Sequence, residues 1–244
     1  MGATPEQRKS WEDDGVLTVP DAVVGNELER LREAFDRRAD DAKQDWLRGV
    51  AAGTQPAAFF DIPNPMEKDS IFVDLADHPS YYPLLVDFSA GQVCMQFPQF
   101  RTVPPSPLSY VGWHFDVPFS NPLHMKVQLY LDDVGKDGGA FAYVPGSHLP
   151  ENDPLPQVRH LEDMPGHRTF PGSAGTAILF NSWGMHTSMV NLTLKARKSI
   201  ILIYEQWSEG KVASDRYASI ADRMTTPERR RLFSLDPMRV AAGG

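Results

Sequence analysis

The chain has 244 residues, 41% of them hydrophobic, and a formal net charge of −8. That supplies one substantial core, expected as a single domain over 1–244, and no window is long and apolar enough to cross a bilayer. The acidic balance argues against nucleic-acid phosphates or an anionic membrane as general partners; a small molecule is the expected one, handled by a monomer or homodimer.

The start, Met1-Gly-Ala-Thr-Pro-Glu6, lacks the basic and apolar segments of a secretory signal, and Glu6 stands where myristoylation needs Ser or Thr. Residues 5–14 read as a short helix ending at Gly15, and Val16-Leu-Thr-Val19 as a strand stopped by Pro20. Leu28, Leu31, Phe35 and Trp46 recur among charges, which predicts an amphipathic helix over 27–48. The Gly-, Ala- and Pro-rich stretch 49–70 reads as a loop placed to act as a lid. A second helical stretch is expected over 71–90, interrupted near Pro79 and Pro83. The flank 1–90 is thus mainly helical.

From Gln92 the pattern changes. Short apolar or alternating runs at 92–103, 110–115, 125–133, 140–144, 176–181 and 198–207 are separated by Pro, Gly, Asn and Asp. They predict an all-β core over 91–210, an antiparallel sandwich or barrel. Cys94, the single cysteine, sits among Val93, Met95 and Phe97 and reads as a buried small hydrophobe. It excludes an intramolecular disulfide or a thiolate metal site and suits a reducing cytoplasm. The stretch 146–172, carrying prolines and histidines, reads as an insertion between strands. A C-terminal helical segment over 211–244 is expected to contain a helix from Pro227 to Phe233, capped by Thr226, so that Arg229-Arg230-Arg231 forms a solvated helix end.

Four residues carry chemistry. His114-Phe115-Asp116 is a His-x-Asp tripeptide; in an extended segment its first and third side chains share a face. His186 would arrive from a second strand, after Thr176–Asn181 and a turn at Ser182-Trp-Gly184, and Arg197 opens a further strand. Two imidazoles and a carboxylate cap one face of an octahedral metal and leave the other open, the facial triad of non-haem Fe(II) oxygenases. An arginine suits the far carboxylate of a keto-acid cosubstrate. Taken alone, His-x-Asp is a weak signal, and a surface histidine beside an aspartate would explain it as well. His78 falls in a turn before Pro79, His160 and His167 in the insertion, and His124 toward the pocket mouth.

Further segments resemble the phytanoyl-CoA dioxygenase family of Fe(II)/2-oxoglutarate-dependent oxygenases. Trp113-His-Phe-Asp116 is similar to its W-H-x-D motif. Leu129–Val134, Asp137-Gly-Gly-Ala-Phe141 and Val144-Pro-Gly-Ser-His148 resemble its strand, turn and P-G-S-H signature. Met185-His186, Asn191 and Arg197 resemble its distal-histidine segment, and Asp14–Pro20 its opening strand, all in the same order. The resemblance implies a double-stranded β-helix (a cupin-like jelly roll) with flanking helices. It implies Fe(II) on His114, Asp116 and His186, and 2-oxoglutarate on Arg197 aided by Ser188 or Thr187, with dioxygen as cosubstrate. Gln128 falls where the family lines the cosubstrate pocket, and Gln96 is a candidate for its C1 end; ordinary strand amides would explain both equally. Pro145–His148 is expected to be a structural turn. Asp116 favours hydroxylase-type chemistry, because related halogenases lack a carboxylate there.

Phe115, Phe119, Tyr130 and Trp183 are candidates to line a substrate pocket, or else to fill the barrel core. The expected activity is oxidation of an aliphatic C–H of a small molecule: a natural-product tailoring hydroxylation, cyclisation or epimerisation. Two rivals stand beside it, a non-catalytic metal-binding jelly roll and a cupin-like metal enzyme that uses no keto acid. Neither needs Arg197.

Overall fold

The computed structural model describes residues 2–119, 121–151, 155–207 and 215–236. Helix α1 (Pro5–Asp14) begins at Thr4, whose hydroxyl accepts from the Gln7 amide while Gln7 reciprocates, a full capping box, and ends at Gly15 in the left-handed region. Strand β1 (Val16–Val19) follows, then the long helix α2 (Gly25–Ala51). The expected loop at 49–70 is more ordered than its composition suggests. It carries the end of α2, a two-residue edge strand β2 (Phe60–Asp61) and the short helix α3 (Pro65–Lys68). The backbone of β2 satisfies itself on its neighbour β3. The 71–90 region forms α4 (Ser70–Asp74), a 3-10 turn at 75–77 and α5 (Tyr82–Phe88), broken before Pro83 as expected.

Strands β3 (Val93–Val103), β4 (His124–Tyr130), β5 (Phe141–Tyr143), β6 (Arg168–Phe170), β7 (Ala177–Asn181), β8 (His186–Ser188) and β9 (Arg197–Gln206) complete the β-core. They form an antiparallel six-stranded sheet, ordered β1-β7-β4-β9-β3-β2, facing a three-stranded sheet ordered β6-β5-β8. The expected strand at 110–115 is absent. That segment is irregular and touches a ladder at one bridge, His114 to His186. Its bonds go elsewhere: the Ser109 hydroxyl donates toward the carbonyls of Val111 and Ser188, at 2.5 and 2.6 Å. The insertion 146–172 contributes β6, which pairs with β5, and a 3-10 turn at 161–163; residues 152–154 of it lie outside the described residues.

Alternation along the strands separates two cores. Met125, Val127 and Leu129 of β4, Leu179 of β7 and Leu202 of β9 pack outward against Leu31, Phe35, Phe72 and Leu85 of the helical flank. The opposite faces, with Tyr130, Ile178 and Phe180, meet Phe141 and Tyr143 between the sheets. Cys94 is buried, and α6 (Pro227–Leu232) is capped by the Thr226 hydroxyl as expected. The Arg229 guanidinium is bound to Asp74 and Asp77, so this arginine cluster anchors α6 to the flank as well as meeting solvent. Residues 208–214 and 237–244, with the expected boundary between core and C-terminal segment, lie outside the described residues. Among the described residues no helix is long and apolar enough to cross a membrane.

Candidate active site

His114, Asp116 and His186 converge at one end of the barrel, each offering a ligand atom within 4.8 Å of the others. His186 opens β8, and its main chain exchanges two hydrogen bonds with His114. Each ring places Nδ1 against a carbonyl two residues back, Gly112 for His114 (2.9 Å) and Gly184 for His186 (3.0 Å). A ring so held donates through Nδ1 and turns a lone pair at Nε2 inward, the arrangement that orients metal-ligating histidines. The Nε2 atoms lie 3.8 Å (His114) and 3.2 Å (His186) from the Asp116 carboxylate. Phe180 and Phe141 pack on the His186 ring, with centroids 4.9 and 5.8 Å away.

The electrostatics favour a ligand set ready for a cation. Burial works to raise the Asp116 carboxyl, but His186 and Lys126 outweigh it and hold the group well below the usual carboxylate range. Burial, then the neighbouring His186, pushes His114 below the ordinary histidine value, toward the neutral form that binds metal. Asp116 Oδ2 is buried with no hydrogen-bond partner among the described residues. Two imidazoles and one ionised carboxylate suit a borderline divalent metal such as Fe(II).

Beyond this set the barrel interior forms a cavity of about 120 Å³, lined by His114, Asp116, Lys126, Gln128, Arg101 and Ser188 among others. Arg197 opens β9, is 3% exposed, and donates through Nη1 to Ser188 Oγ (2.6 Å) and to the Gly139 carbonyl. Its Nε and Nη2 are buried without partners among the described residues, as is Gln128 Nε2. An unpartnered face of a buried guanidinium fits a carboxylate, which accepts its planar fork. Asn191 shapes the approach to β9, its amide donating to the Lys195 carbonyl at 2.8 Å.

Not every expected residue joins the cavity, and Arg197 meets it only through Ser188, since the guanidinium is not among the residues lining that cavity. Thr187 lines it, but its hydroxyl is committed to the Val111 carbonyl at 2.9 Å, which leaves Ser188 as the hydroxyl on Arg197. A bulge between Met95 and Phe97 shifts the alternation of β3, so Gln99 lines the cavity and Gln96 does not. Tyr130 is fully buried between the sheets, its phenol donating to the Phe170 carbonyl and accepting from the Phe141 amide, which makes it core. Phe115 and Phe119 are about two-fifths exposed (44% and 43%), and Phe119 packs on the half-buried Trp183 at 5.7 Å. His78 pairs with Glu27, His124 starts β4, His160 is exposed, and His167 packs edge-on against Trp113. Trp113 also donates to the Leu161 carbonyl at 3.0 Å, so the insertion is fastened beside the metal-ligand segment.

Four polar cavity residues were not singled out from the sequence: Lys126, Gln99, Arg101 and Tyr110. The signal for three was present, since Lys126 alternates with Met125 and Val127, and Gln99 and Arg101 flank Phe100. Arg101 is held by Asp61 in a bidentate pair (2.7 and 2.6 Å) and lies over the Phe59 ring at 4.1 Å. The stretch expected as a lid therefore reaches the cavity wall through Phe59 and Asp61. Burial works to raise the Tyr110 phenol, yet Arg197 and Arg101 together bring it below its ordinary value.

The Pro145–His148 turn is structural. Gly146 donates to the Asp14 carbonyl (2.9 Å) and Ser147 Oγ accepts from the Met185 amide (2.8 Å), tying α1 to the segment that delivers His186.

Comparison with known proteins agrees with this architecture. No curated protein sequence matches the chain. Among solved structures, the 2-oxoglutarate-dependent carbocyclase SnoK of nogalamycin biosynthesis is 18% identical with a TM-score of 0.65, covering 84% of each chain. The epimerase SnoN of the same biosynthesis is 20% identical with a TM-score of 0.59, covering 81% of this chain and 80% of its own. HygX from Streptomyces hygroscopicus, solved with nickel, 2-oxoglutarate and hygromycin B, is 17% identical with a TM-score of 0.65, covering 87% and 92%. At these identities the likeness establishes the jelly-roll fold. The phytanoyl-CoA dioxygenase (PhyH) family model matches residues 11–199. The chain therefore belongs to the phytanoyl-CoA dioxygenase family and is a non-haem Fe(II)/2-oxoglutarate-dependent oxygenase.

Proposed function

We propose that the protein oxidises an aliphatic C–H of a small natural product, with Fe(II) held by His114, Asp116 and His186 and 2-oxoglutarate by Arg197 and Ser188. The observation that carries the site assignment is the pairing of a converged His-Asp-His set with a buried arginine that has two unpartnered nitrogens in the same barrel. Bound iron would supply activation of dioxygen and oxidation of the unactivated bond. The chain's own residues do the rest. Gly112 and Gly184 aim the two rings, and Arg197 orients the cosubstrate through its far carboxylate. Phe141 and Phe180 shield His186 from water, and Gln128 offers a buried amide donor to the cosubstrate.

Natural-product tailoring is supported by the structural neighbours, two of which act in nogalamycin biosynthesis and one of which binds hygromycin B. The half-exposed ring pair Phe119 and Trp183, with Phe115 beside the metal ligands, offers an apolar shelf for such a substrate. The lone cysteine suits a cytoplasmic setting, and a monomer or homodimer would suffice for this chemistry.

Anaerobic addition of Fe(II) and 2-oxoglutarate tests the site. A weak visible charge-transfer band is expected in the wild type and lost in His186→Ala; no band in a folded wild type rejects the assignment. Succinate release across a panel of polycyclic and sugar-bearing metabolites then tests the substrate class. Release stimulated only by acyl thioesters would replace the natural-product reading.

A further inference from the structure

Lys126 occupies a position the fold does not require to be charged. It lies within β4, on the interior row with Gln128 and Tyr130, and is 8% exposed. A buried ammonium is costly unless paired. Its Nζ donates to Asp116 Oδ1 at 2.7 Å, and the Phe180 ring lies 5.9 Å away. The other carboxylate oxygen, Oδ2, is buried 3.2 Å from His186 Nε2 without the alignment of a hydrogen bond. The two oxygens are therefore unlike: Oδ1 is tied to the lysine and lies 3.8 Å from His114 Nε2, while Oδ2 has no hydrogen-bond partner among the described residues and faces His186.

We propose that Lys126 is a positioning residue for the metal centre, engaging one oxygen of Asp116 so that the carboxylate presents only the other to the metal. The inference rests on the assignment of His114, Asp116 and His186 as ligands. A carboxylate restricted to one oxygen takes one coordination position instead of two, which leaves room for a bidentate keto acid and dioxygen. The usual outer partner of a metal ligand is a carbonyl or carboxylate, which raises ligand basicity. A cation does the opposite. Lys126 shares the charge of Asp116 with the metal, so it moderates metal affinity while favouring cosubstrate binding.

Co(II) titrations of the wild type, Lys126→Met and Lys126→Gln, read by visible absorption and followed by anaerobic 2-oxoglutarate, test this. Lys126→Met removes both the charge and the donor. It is expected to bind Co(II) about threefold or more tightly, because a nearby like charge is gone. Its Co(II) form is expected to bind 2-oxoglutarate about tenfold more weakly, as Asp116 spreads onto the metal through both oxygens. Lys126→Gln keeps a donor without the charge: Co(II) binding tightens, while 2-oxoglutarate binding stays within about threefold of wild type. A lysine that only props up the fold predicts a lower melting temperature with both affinities falling together. That result overturns the proposal, as do variants that match the wild type. If Lys126→Met does not fold, Lys126→Gln decides, and Co(II) affinity unchanged or weaker in it rejects the idea. A wild type that binds no Co(II) rejects the ligand assignment itself; a wild type that binds both with variants unaltered rejects only the role of Lys126.

Discussion

The amides of His114 and His186 each donate to the other's carbonyl, both at 3.0 Å. Two candidate ligands from distant parts of the chain are thus fixed by main-chain bonds that do not depend on the imidazole rings. His186→Ala should therefore fold while losing metal. We expect a drop in Co(II) affinity of about a hundredfold or more, since one of three ligands is gone, with the far-ultraviolet circular dichroism unchanged. A variant that melts without metal and binds none would instead make the ring a structural element.

Arg197 and Ser188 form the second pair. Arg197→Lys keeps the charge but loses the planar guanidinium whose Nη1 holds Ser188 and Gly139 while Nε and Nη2 remain for a carboxylate. 2-Oxoglutarate affinity in the metal-loaded protein should fall by about tenfold or more, and Ser188→Ala should cost about fivefold, near 1 kcal/mol. Co(II) affinity without cosubstrate should be unaffected in both. Calorimetric titration reads the two separately, and a parallel loss of metal would show that Arg197 supports the barrel end and not the cosubstrate.

Much of this was legible in the sequence, for physical reasons. Helix α1 is marked by its cap and by Gly15, β4 by apolar alternation, and β7 and β9 by short continuous apolar runs. The convergence of the candidate ligands His114, Asp116 and His186 was legible because His-x-Asp, His186 and Arg197 keep their order within a family-like frame. What was not legible depends on long-range pairing. The bulge after Met95 exchanges Gln96 for Gln99, and no local property of β3 announces it. The 110–115 segment has strand-like composition but spends its bonds on Ser109 and on the bridge at His114. Phe60 and Asp61 look like loop until β3 offers them an edge.

Gly184 tests how tightly the His186 segment is packed. A Cβ there would lie 1.8 Å from the Tyr143 hydroxyl, which is itself buried and donates to the Asn181 carbonyl at 2.9 Å. Gly184→Ala must displace either the ring or the turn whose carbonyl holds the His186 imidazole. A loss of about 2–4 kcal/mol in unfolding free energy is expected, together with weaker metal binding. Tyr143→Leu should be costly alone, yet in the double variant the two losses should fall short of their sum by about 1 kcal/mol or more. Strict additivity in urea titrations would mean that the clash is relieved elsewhere.

His148 gives a pH dependence independent of the candidate metal ligands. Its ring packs on Gly15, where an added Cβ would meet Nδ1 at 2.5 Å, and that nitrogen is buried without a partner among the described residues. Burial pushes the imidazole below its ordinary value, outweighing the Glu12 backbone and the nearby Asp14. The folded chain therefore resists protonation that the unfolded chain accepts. Above about pH 6.5 both states are neutral and nothing is lost; as pH falls below that value the unfolded state gains protons first and stability declines. His148→Gln should be somewhat less stable than wild type near neutrality but should lose less on acidification from about pH 7.5 to about pH 5.5. His114, which is shifted the same way, titrates in both proteins and cancels in the comparison. Urea unfolding at the two pH values reads the difference, and parallel losses would show that His148 does not take up a proton in this window.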